Sequence, residues 1–135
     1  GGNIVKREFT NDKAVDFRAI LTSLKKAGAD LVFFGGADAQ GGPMVAQMRE
    51  LGLSAQFAGG EMLKSPKFLE LAGAAAEGAV ASLAGLPLDR MPGGPGYATK
   101  YKAKFGTDVE VYSPYAYDAT RVMVAAMQRA DSAEP

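Results

Sequence analysis

The sequence predicts a three-layer α/β fold, in which helices cover both faces of a doubly wound and mainly parallel sheet. Two observations predict it. Short apolar runs typical of strands alternate with amphipathic segments typical of helices, and glycines stand where those helices would end. The chain of 135 residues, 47% of them hydrophobic, is long enough for one core. Ligands bind such sheets at the carboxyl ends of the strands, so the loops there are the candidate sites.

The first strand and helix are expected before Gly28. Residues 3–10 suggest a short strand, although charged residues interrupt its apolar alternation. Asn11 or Asp12 can cap the helix that follows, and two lysines before Gly28 are typical of its end. The apolar stripe of this helix recurs at helical spacing and consists of Phe17, Ile20, Leu21 and Leu24.

The second strand and helix follow directly. Residues 30–34 contain a continuous apolar run that ends at Gly35 and Gly36, which is typical of a parallel strand buried on both faces. The next helix is expected to hold Pro43 in its first turn and to end at Gly52. Its buried face would consist of Met44, Val45, Met48 and Leu51.

Two further strands are expected at residues 55–58 and 78–84. Ser65 and Pro66 are a suitable cap and first-turn pair for a short helix between them. Residues 86–96 are rich in proline and glycine, which favours a loop.

The last part of the chain is expected to contain two helices with a strand between them. An aromatic stripe predicts the first helix, which would end at Gly106. The strand is expected at 109–112, and Ser113 and Pro114 would cap a final helix that runs to about Ala130. The aromatic stripe consists of Tyr97, Tyr101 and Phe105, and the packing face of the final helix of Tyr115, Ala119, Val122, Met123 and Ala126.

Composition excludes several functional classes. Fifteen basic residues balance fifteen acidic ones, so no net charge attracts nucleic acid or an anionic membrane. The chain has no cysteine and no histidine, which removes thiolate and imidazole chemistry, disulfides and the common zinc ligand sets. The remaining catalytic pairs, a hydroxyl with lysine or two carboxylates, have no recognisable spacing. Binding is therefore favoured over catalysis, and no cofactor is expected.

Loops at three predicted strand ends supply the candidate ligand residues. Glu61 stands just beyond the third strand after Gly60, where a carboxylate can accept hydrogen bonds from an ammonium group; a solvated loop glutamate is the competing interpretation. The glycine pairs within 35–42 lack the features of a nucleotide-binding loop, so a simple turn is favoured over phosphate binding. Tyr112 precedes the final helix and can wall a ligand pocket with its ring.

Segments along nearly the whole chain share their order and spacing with one known family. They are Asp16–Phe17, Leu21, Leu24–Lys25, Ala29–Asp30, Phe33–Gly36, Gln47, Leu51–Leu53, Phe57, Leu71–Gly73, Ala76–Gly78, Tyr101–Gly106 and Tyr115–Ala119. Together they resemble the branched-chain amino-acid periplasmic binding proteins. Each segment alone is a weak signal, whereas the ordered set is specific.

This resemblance implies a two-lobed extracytoplasmic receptor, and not an enzyme, that closes around a small solute and delivers it to the permease of an ATP-driven importer. Residues 1–112 would form most of the second lobe, and residues 113–135 a helix that returns toward the first lobe, which this chain would lack. The location would be periplasmic or otherwise extracytoplasmic. Apolar faces left exposed by missing elements would favour a dimer of the shortened chain.

The resemblance also suggests roles for individual residues. Glu61 matches the acidic position that holds the ammonium group of the ligand, and Tyr112 matches an aromatic position that lines the side-chain pocket. Ala37 matches a position that is aromatic in the well-known branched-chain binders, so its small side chain would enlarge the pocket and admit a larger or more polar solute. Asp38 beside it would add a polar contact.

Two alternatives remain at this level. The same fold serves as the ligand-sensing domain of regulators and signalling receptors, which a DNA-binding or kinase segment in the flanking sequence would indicate. A flavodoxin-like domain that binds a nucleotide or flavin would be indicated by a bound chromophore, although the glycine loops do not favour it.

Overall fold

A computed structural model describes residues 2–134, which form two compact units that divide between Ala84 and Gly85. The elements of the first unit are α1 (Arg18–Lys26), β1 (Leu31–Phe34), α2 (Asp38–Glu50), β2 (Gln56–Gly59), α3 (Pro66–Ala72) and β3 (Val80–Ala81). The second unit contains α4 (Gly94–Phe105) and α5 (Ser113–Ala130). Short 3-10 turns occupy Glu61–Leu63, Gly73–Ala76 and Leu88–Arg90. No helix within residues 2–134 is long and apolar enough to cross a membrane.

The strands of the first unit form a parallel sheet in the order β1, β2, β3. Phe34 is opposite Gly59 in the β1–β2 pair, and Ala58 is opposite Val80 in the β2–β3 pair. Helices α2 and α3 make the crossovers, because a parallel neighbour cannot be reached by a tight hairpin. The predicted alternation of parallel strands with helices is confirmed.

The core of the first unit lies between one face of the sheet and helices α1, α2 and α3. Phe57 is fully buried, and its ring stacks on those of Phe34 and Phe68, each with a centroid separation of 6.3 Å. The remaining buried members are Phe17, Leu21, Val32, Met44, Val45, Met48, Leu53, Ala55, Leu63 and Ala72. The three stacked rings therefore join two strands to α3.

Strand β1 is buried on one face only, so the prediction of burial on both faces is wrong. Val32 and Phe34 are in the core, whereas Leu31 and Phe33 are 51% and 67% exposed. Successive side chains of a strand point to opposite faces, and the core helices cover only the face of Val32 and Phe34.

The amino-terminal segment is not a strand, contrary to the prediction for residues 3–10. It lies beside β1, and the two enclose a groove of about 880 Å³. Its described anchor is a side-chain contact, since the Ser23 hydroxyl donates to Glu8 at 2.8 Å. This hydrogen bond, together with Lys6, lowers the pKa of the Glu8 carboxyl.

Helix α1 begins at Arg18 rather than after the predicted caps at Asn11 or Asp12. The cause is Gln47 of α2, which is buried and binds the backbone ahead of α1. Its Oε1 accepts from the Phe17 N–H at 2.7 Å, and its Nε2 donates to the Val15 carbonyl at 2.8 Å. These bonds hold the chain before Arg18 in an irregular conformation.

Helix α2 begins at Asp38, so the prediction that residues 35–42 form a loop and that Pro43 opens the helix is wrong. Gly41 and Gly42 lie inside the helix and are buried. A Cβ at Gly41 would lie 2.5 Å from Leu63 Cδ2, and one at Gly42 would lie 2.5 Å from Leu71 Cβ. These glycines therefore permit close packing on the elements after β2, and are not turn residues.

Two predicted strands are shortened or absent among the described residues. The strand expected at 78–84 is reduced to β3, in which Val80 and Ala81 pair with Ala58 and Gly59, and the Ser82 N–H donates to the Gly59 carbonyl at 3.0 Å. The segment 109–112 is not a strand, since the Ser113 N–H donates to the Glu110 carbonyl at 3.0 Å and closes a turn.

The aromatic stripe predicted for α4 is confirmed. The ring of Tyr101 packs against those of Tyr97 and Phe105, with centroid separations of 5.8 and 4.7 Å. The ring of Tyr97 also packs against that of Tyr117 of α5, with a centroid separation of 5.3 Å. The predicted stop at Gly106 is confirmed as well, with a φ of 73° that favours glycine.

The predicted cap and packing face of α5 are not observed. The residue at the cap position is Tyr112, while the hydroxyl of Ser113 is 2.7 Å from that of Tyr97. The packing face predicted from Tyr115 onward is exposed, with Val122 and Met123 at 67% and 57%. The described contacts with α4 involve only the first turns of α5, which leaves the later turns uncovered.

Replacing Phe57 by Ala is expected to lower the free energy of unfolding by about 3–5 kcal/mol, because it opens a cavity between two stacked rings. Phe33→Ala on the exposed face of the neighbouring strand is the matched control and should change it by about 0.5 kcal/mol. Urea unfolding followed by circular dichroism measures both. Equal losses for the two variants would contradict the one-sided core.

Replacing Gln47 by Met keeps the side-chain length but leaves the Phe17 N–H and the Val15 carbonyl without their partner. We expect a loss of about 1–3 kcal/mol for a buried group left unpaired. Gln128→Met on exposed α5 should change the stability by about 0.5 kcal/mol. The same urea titration tests this pair. An unchanged free energy of unfolding in Gln47→Met would show that the two bonds contribute little.

Candidate functional site

The carboxyl ends of β1 and β2 lie side by side, because the strands are parallel and Phe34 is opposite Gly59. The segments that follow the two strands leave the sheet at the same edge. One leads through Ala37 into the first turn of α2, and the other leads through Gly60 into the 3-10 turn that starts with Glu61. Four of the five predicted ligand residues, Ala37, Asp38, Gly60 and Glu61, therefore follow adjacent strand ends.

Glu61 is half-buried, and its carboxylate makes no hydrogen bond or ion pair with any residue that the structure describes. Gly60, just before it, has an extended backbone, and no atom outside its immediate neighbours lies within 4 Å of where its Cβ would be. The carboxylate can therefore accept hydrogen bonds from outside the chain, with open space beside it.

The backbone of the Glu61 turn is held by its own hydrogen bonds and by the buried side chain of Leu63. The Leu63 N–H donates to the Gly60 carbonyl at 3.1 Å, and the Lys64 N–H donates to the Glu61 carbonyl at 2.9 Å. Leu63 is buried in the core, next to Gly41 of α2 and Gly59 of β2. Sequence reasoning missed this anchor, because the contacts join residues far apart in the chain.

Asp38 has a partner, unlike Glu61. The Ser65 hydroxyl donates to Asp38 Oδ2 at 2.6 Å and accepts from the Phe68 N–H at 3.0 Å. Ser65 is the N-cap of α3, with Pro66 in its first turn, so the predicted cap pair is confirmed. The link to Asp38 spans 27 positions of sequence and has no local signal.

Tyr112 belongs to the second unit, where it occupies the cap position of α5 and is 54% exposed. Its ring is available to a ligand, as the prediction of a pocket wall requires. The role of Tyr112 remains a prediction.

The described residues at this edge form no acid–base pair. Asp38 bonds to Ser65, and no described hydrogen bond joins it to Glu61 as an acid–base pair would need. Within residues 2–134 no group of histidine, cysteine or carboxylate side chains could hold a metal ion. The arrangement is suited to binding through one carboxylate with open space beside it.

Comparison with known proteins identifies related sequences over nearly the whole chain. The family model described as "Periplasmic binding protein" matches residues 1–135. A Leu/Ile/Val-binding protein homologue of Brucella melitensis is 34% identical over 119 residues, which are 88% of this chain and 32% of the relative. The leucine-, isoleucine-, valine-, threonine- and alanine-binding protein of Pseudomonas aeruginosa is 32% identical over 89% of this chain and 32% of its own length.

Solved structures give the same result. The leucine-binding protein LivK of Thermotoga maritima matches with a TM-score of 0.85 and 26% identity, over 94% of this chain and 37% of that one. LivJ of Streptococcus pneumoniae, solved with isoleucine, matches with a TM-score of 0.74 over 86% of this chain and 34% of its own; at 23% identity it supports the fold alone. The chain thus spans about a third of the length of these relatives.

Replacing Gly41 by Ala places a methyl group against Leu63 and is expected to lower the free energy of unfolding by about 1–3 kcal/mol. Gly96→Ala in α4 is the control, because nothing lies within 4 Å of its Cβ position; there the better helix former should stabilise by up to about 1 kcal/mol. Urea unfolding distinguishes the two variants, because the expected changes in the free energy of unfolding have opposite signs. A stabilising Gly41→Ala would contradict the close packing.

Proposed function

The chain belongs to the periplasmic binding protein family, and from this premise we propose that it is part of a receptor that binds an amino acid for an ATP-driven importer. The family consists of solute-binding receptors, not enzymes, and its members work outside the cytoplasm. The unpartnered, half-buried carboxylate of Glu61 carries the proposal. It stands at a strand end, where ligands bind in open parallel sheets.

The solute is proposed to be a branched-chain amino acid or a related compound with an amine. Glu61 would accept charge-assisted hydrogen bonds from the ammonium group, and Gly60 would allow the ligand to approach the backbone. The small Ala37 would admit solutes larger or more polar than leucine, and the pocket-wall role of Tyr112 stays a prediction. The polar contact expected from Asp38 stays a prediction, since its carboxylate already accepts a hydrogen bond from Ser65. The similarity to a Leu/Ile/Val-binding protein homologue and to a leucine-, isoleucine-, valine-, threonine- and alanine-binding protein supports this class.

Residues 1–112 are proposed to be most of the second lobe of a two-lobed receptor, and residues 113–135 a helix that returns to the first lobe. Two exposed apolar surfaces support the proposal that the chain is part of a larger receptor: the outer face of β1 with Phe33, and the later turns of α5 with Val122 and Met123. Such side chains are usually covered in a complete protein. The remaining ligand contacts would come from the first lobe.

The proposed partners are the solute and the membrane permease of the importer, with the receptor in the periplasm. Nucleic acid is not proposed as a partner, since the formal net charge is zero. A dimer of the shortened chain through its exposed apolar surfaces stays a prediction, and light scattering during size-exclusion chromatography would detect it.

A thermal-shift screen of the full-length protein over amino acids and amine-free acids tests the function, because a ligand of the folded state raises the melting temperature. We expect a rise with leucine, isoleucine or valine. Glu61→Gln should weaken the affinity of the best ligand by at least about tenfold in calorimetry, since it removes a charge-assisted bond.

The matched control for this variant is Glu70→Gln, which changes an exposed carboxylate on α3 that pairs with Lys67 at 2.8 Å. It should leave the affinity unchanged. A melting-temperature rise with amine-free acids alone, or an unchanged affinity in Glu61→Gln, would refute the proposed role of Glu61.

A further inference from the structure

Asp38 and Ser65 connect the starts of two helices that enclose the Glu61 turn. Asp38 is in the first turn of α2, just beyond β1, and Ser65 is the cap of α3. The Ser65 hydroxyl serves both ends of the connection, since it donates to Asp38 Oδ2 at 2.6 Å and accepts from the Phe68 N–H at 3.0 Å. Hydrogen bonds to an ionised acceptor are stronger than those between neutral groups, so the Ser65–Asp38 bond is expected to be strong.

The segment between β2 and Ser65 contains only five residues, 60–64. One end continues directly from β2, which is paired along its length with β1. The other end is Ser65, whose position is tied to α2 through Asp38. Because the Glu61 side chain has no described bond of its own, its place depends on the backbone of this segment, and hence on both ends.

We propose that Asp38 is a positioning residue, which acts through Ser65 to hold the backbone turn that presents Glu61. The Asp38 carboxylate thereby holds the backbone of the turn, and the Glu61 carboxylate is the one that would bind the solute. This inference depends on the proposed function only where solute affinity is the readout. The hydrogen-bonded turn itself is independent of what Glu61 binds.

The first test is hydrogen exchange in the full-length protein, which reports local opening whether or not a solute binds. The informative amides are those of Leu63 and Lys64, which close the Glu61 turn. Asp38→Ala and Ser65→Ala should each speed their exchange about tenfold, the effect of losing one strong hydrogen bond. Asp38→Asn and Ser65→Thr, which keep an acceptor and a hydroxyl, should restore slow exchange.

Glu70→Gly is the control for a general loosening of α3, because glycine weakens a helix without touching Asp38 or Ser65. It should speed exchange within α3 and leave the amides of Leu63 and Lys64 slow. Equal acceleration of those two amides by Glu70→Gly, or no acceleration by Asp38→Ala, would overturn the proposal.

The second test is a double-mutant cycle on the affinity for leucine, isoleucine or valine, which distinguishes an indirect role from a direct contact. If Asp38 acts through Ser65, each alanine variant weakens binding about tenfold and the double variant loses no more than either one. A further loss from Asp38→Ala in the Ser65→Ala background would mean that Asp38 contacts the solute. A wild-type protein that binds none of these amino acids would defeat the proposed function, whereas the exchange result would still decide the role of Asp38.

Discussion

The close approach of α2 to the elements after β2 is the constraint on which the candidate site depends. It requires two positions without side chains, Gly41 and Gly42, since a Cβ at either would lie 2.5 Å from a leucine atom. Leu63 can then reach the core beneath the Glu61 turn. The distance between the two helix starts also becomes short enough for the Asp38–Ser65 bond of 2.6 Å. The packing beneath the Glu61 turn and the link between the two helix starts thus depend on one helix contact.

Two carboxylates follow adjacent strand ends, yet their surroundings differ. Asp38 is engaged with a serine that also caps a helix, and so its charge is used inside the protein. Glu61 has no described partner and has open space beside it at Gly60. A half-buried carboxylate that pairs with no described residue keeps its acceptor sites available to a ligand, which is the physical reason to propose a ligand for Glu61 rather than for Asp38.

The chain resembles one part of its relatives, and its surfaces are consistent with that. The first unit has a well-packed core on one face of the sheet, while Phe33 on the other face is exposed. The later turns of α5 are similarly uncovered. A part of a larger protein can have a complete core and still expose apolar surface that the rest of that protein would cover.

The sequence by itself was sufficient for the fold class, the alternation of helices and strands from α1 to β3, the Ser65–Pro66 cap and the stop at Gly106, because these follow from periodicity and from local backbone preferences. It was wrong for the strands expected at 3–10 and 109–112. It also indicated Glu61, as a carboxylate after a strand and a glycine, and the ligand role of this residue remains a prediction. Sequence reasoning failed for the start of α2, where Gly41 and Gly42 suggested a loop, and for the start of α1, where Asn11 and Asp12 suggested a cap. Ahead of α1 the distant Gln47 binds the backbone, and within α2 the two glycines pack closely on Leu63 and Leu71. Only the tertiary structure decided those points and the Asp38–Ser65 link, since contacts between residues far apart in the chain have no periodic or local signature.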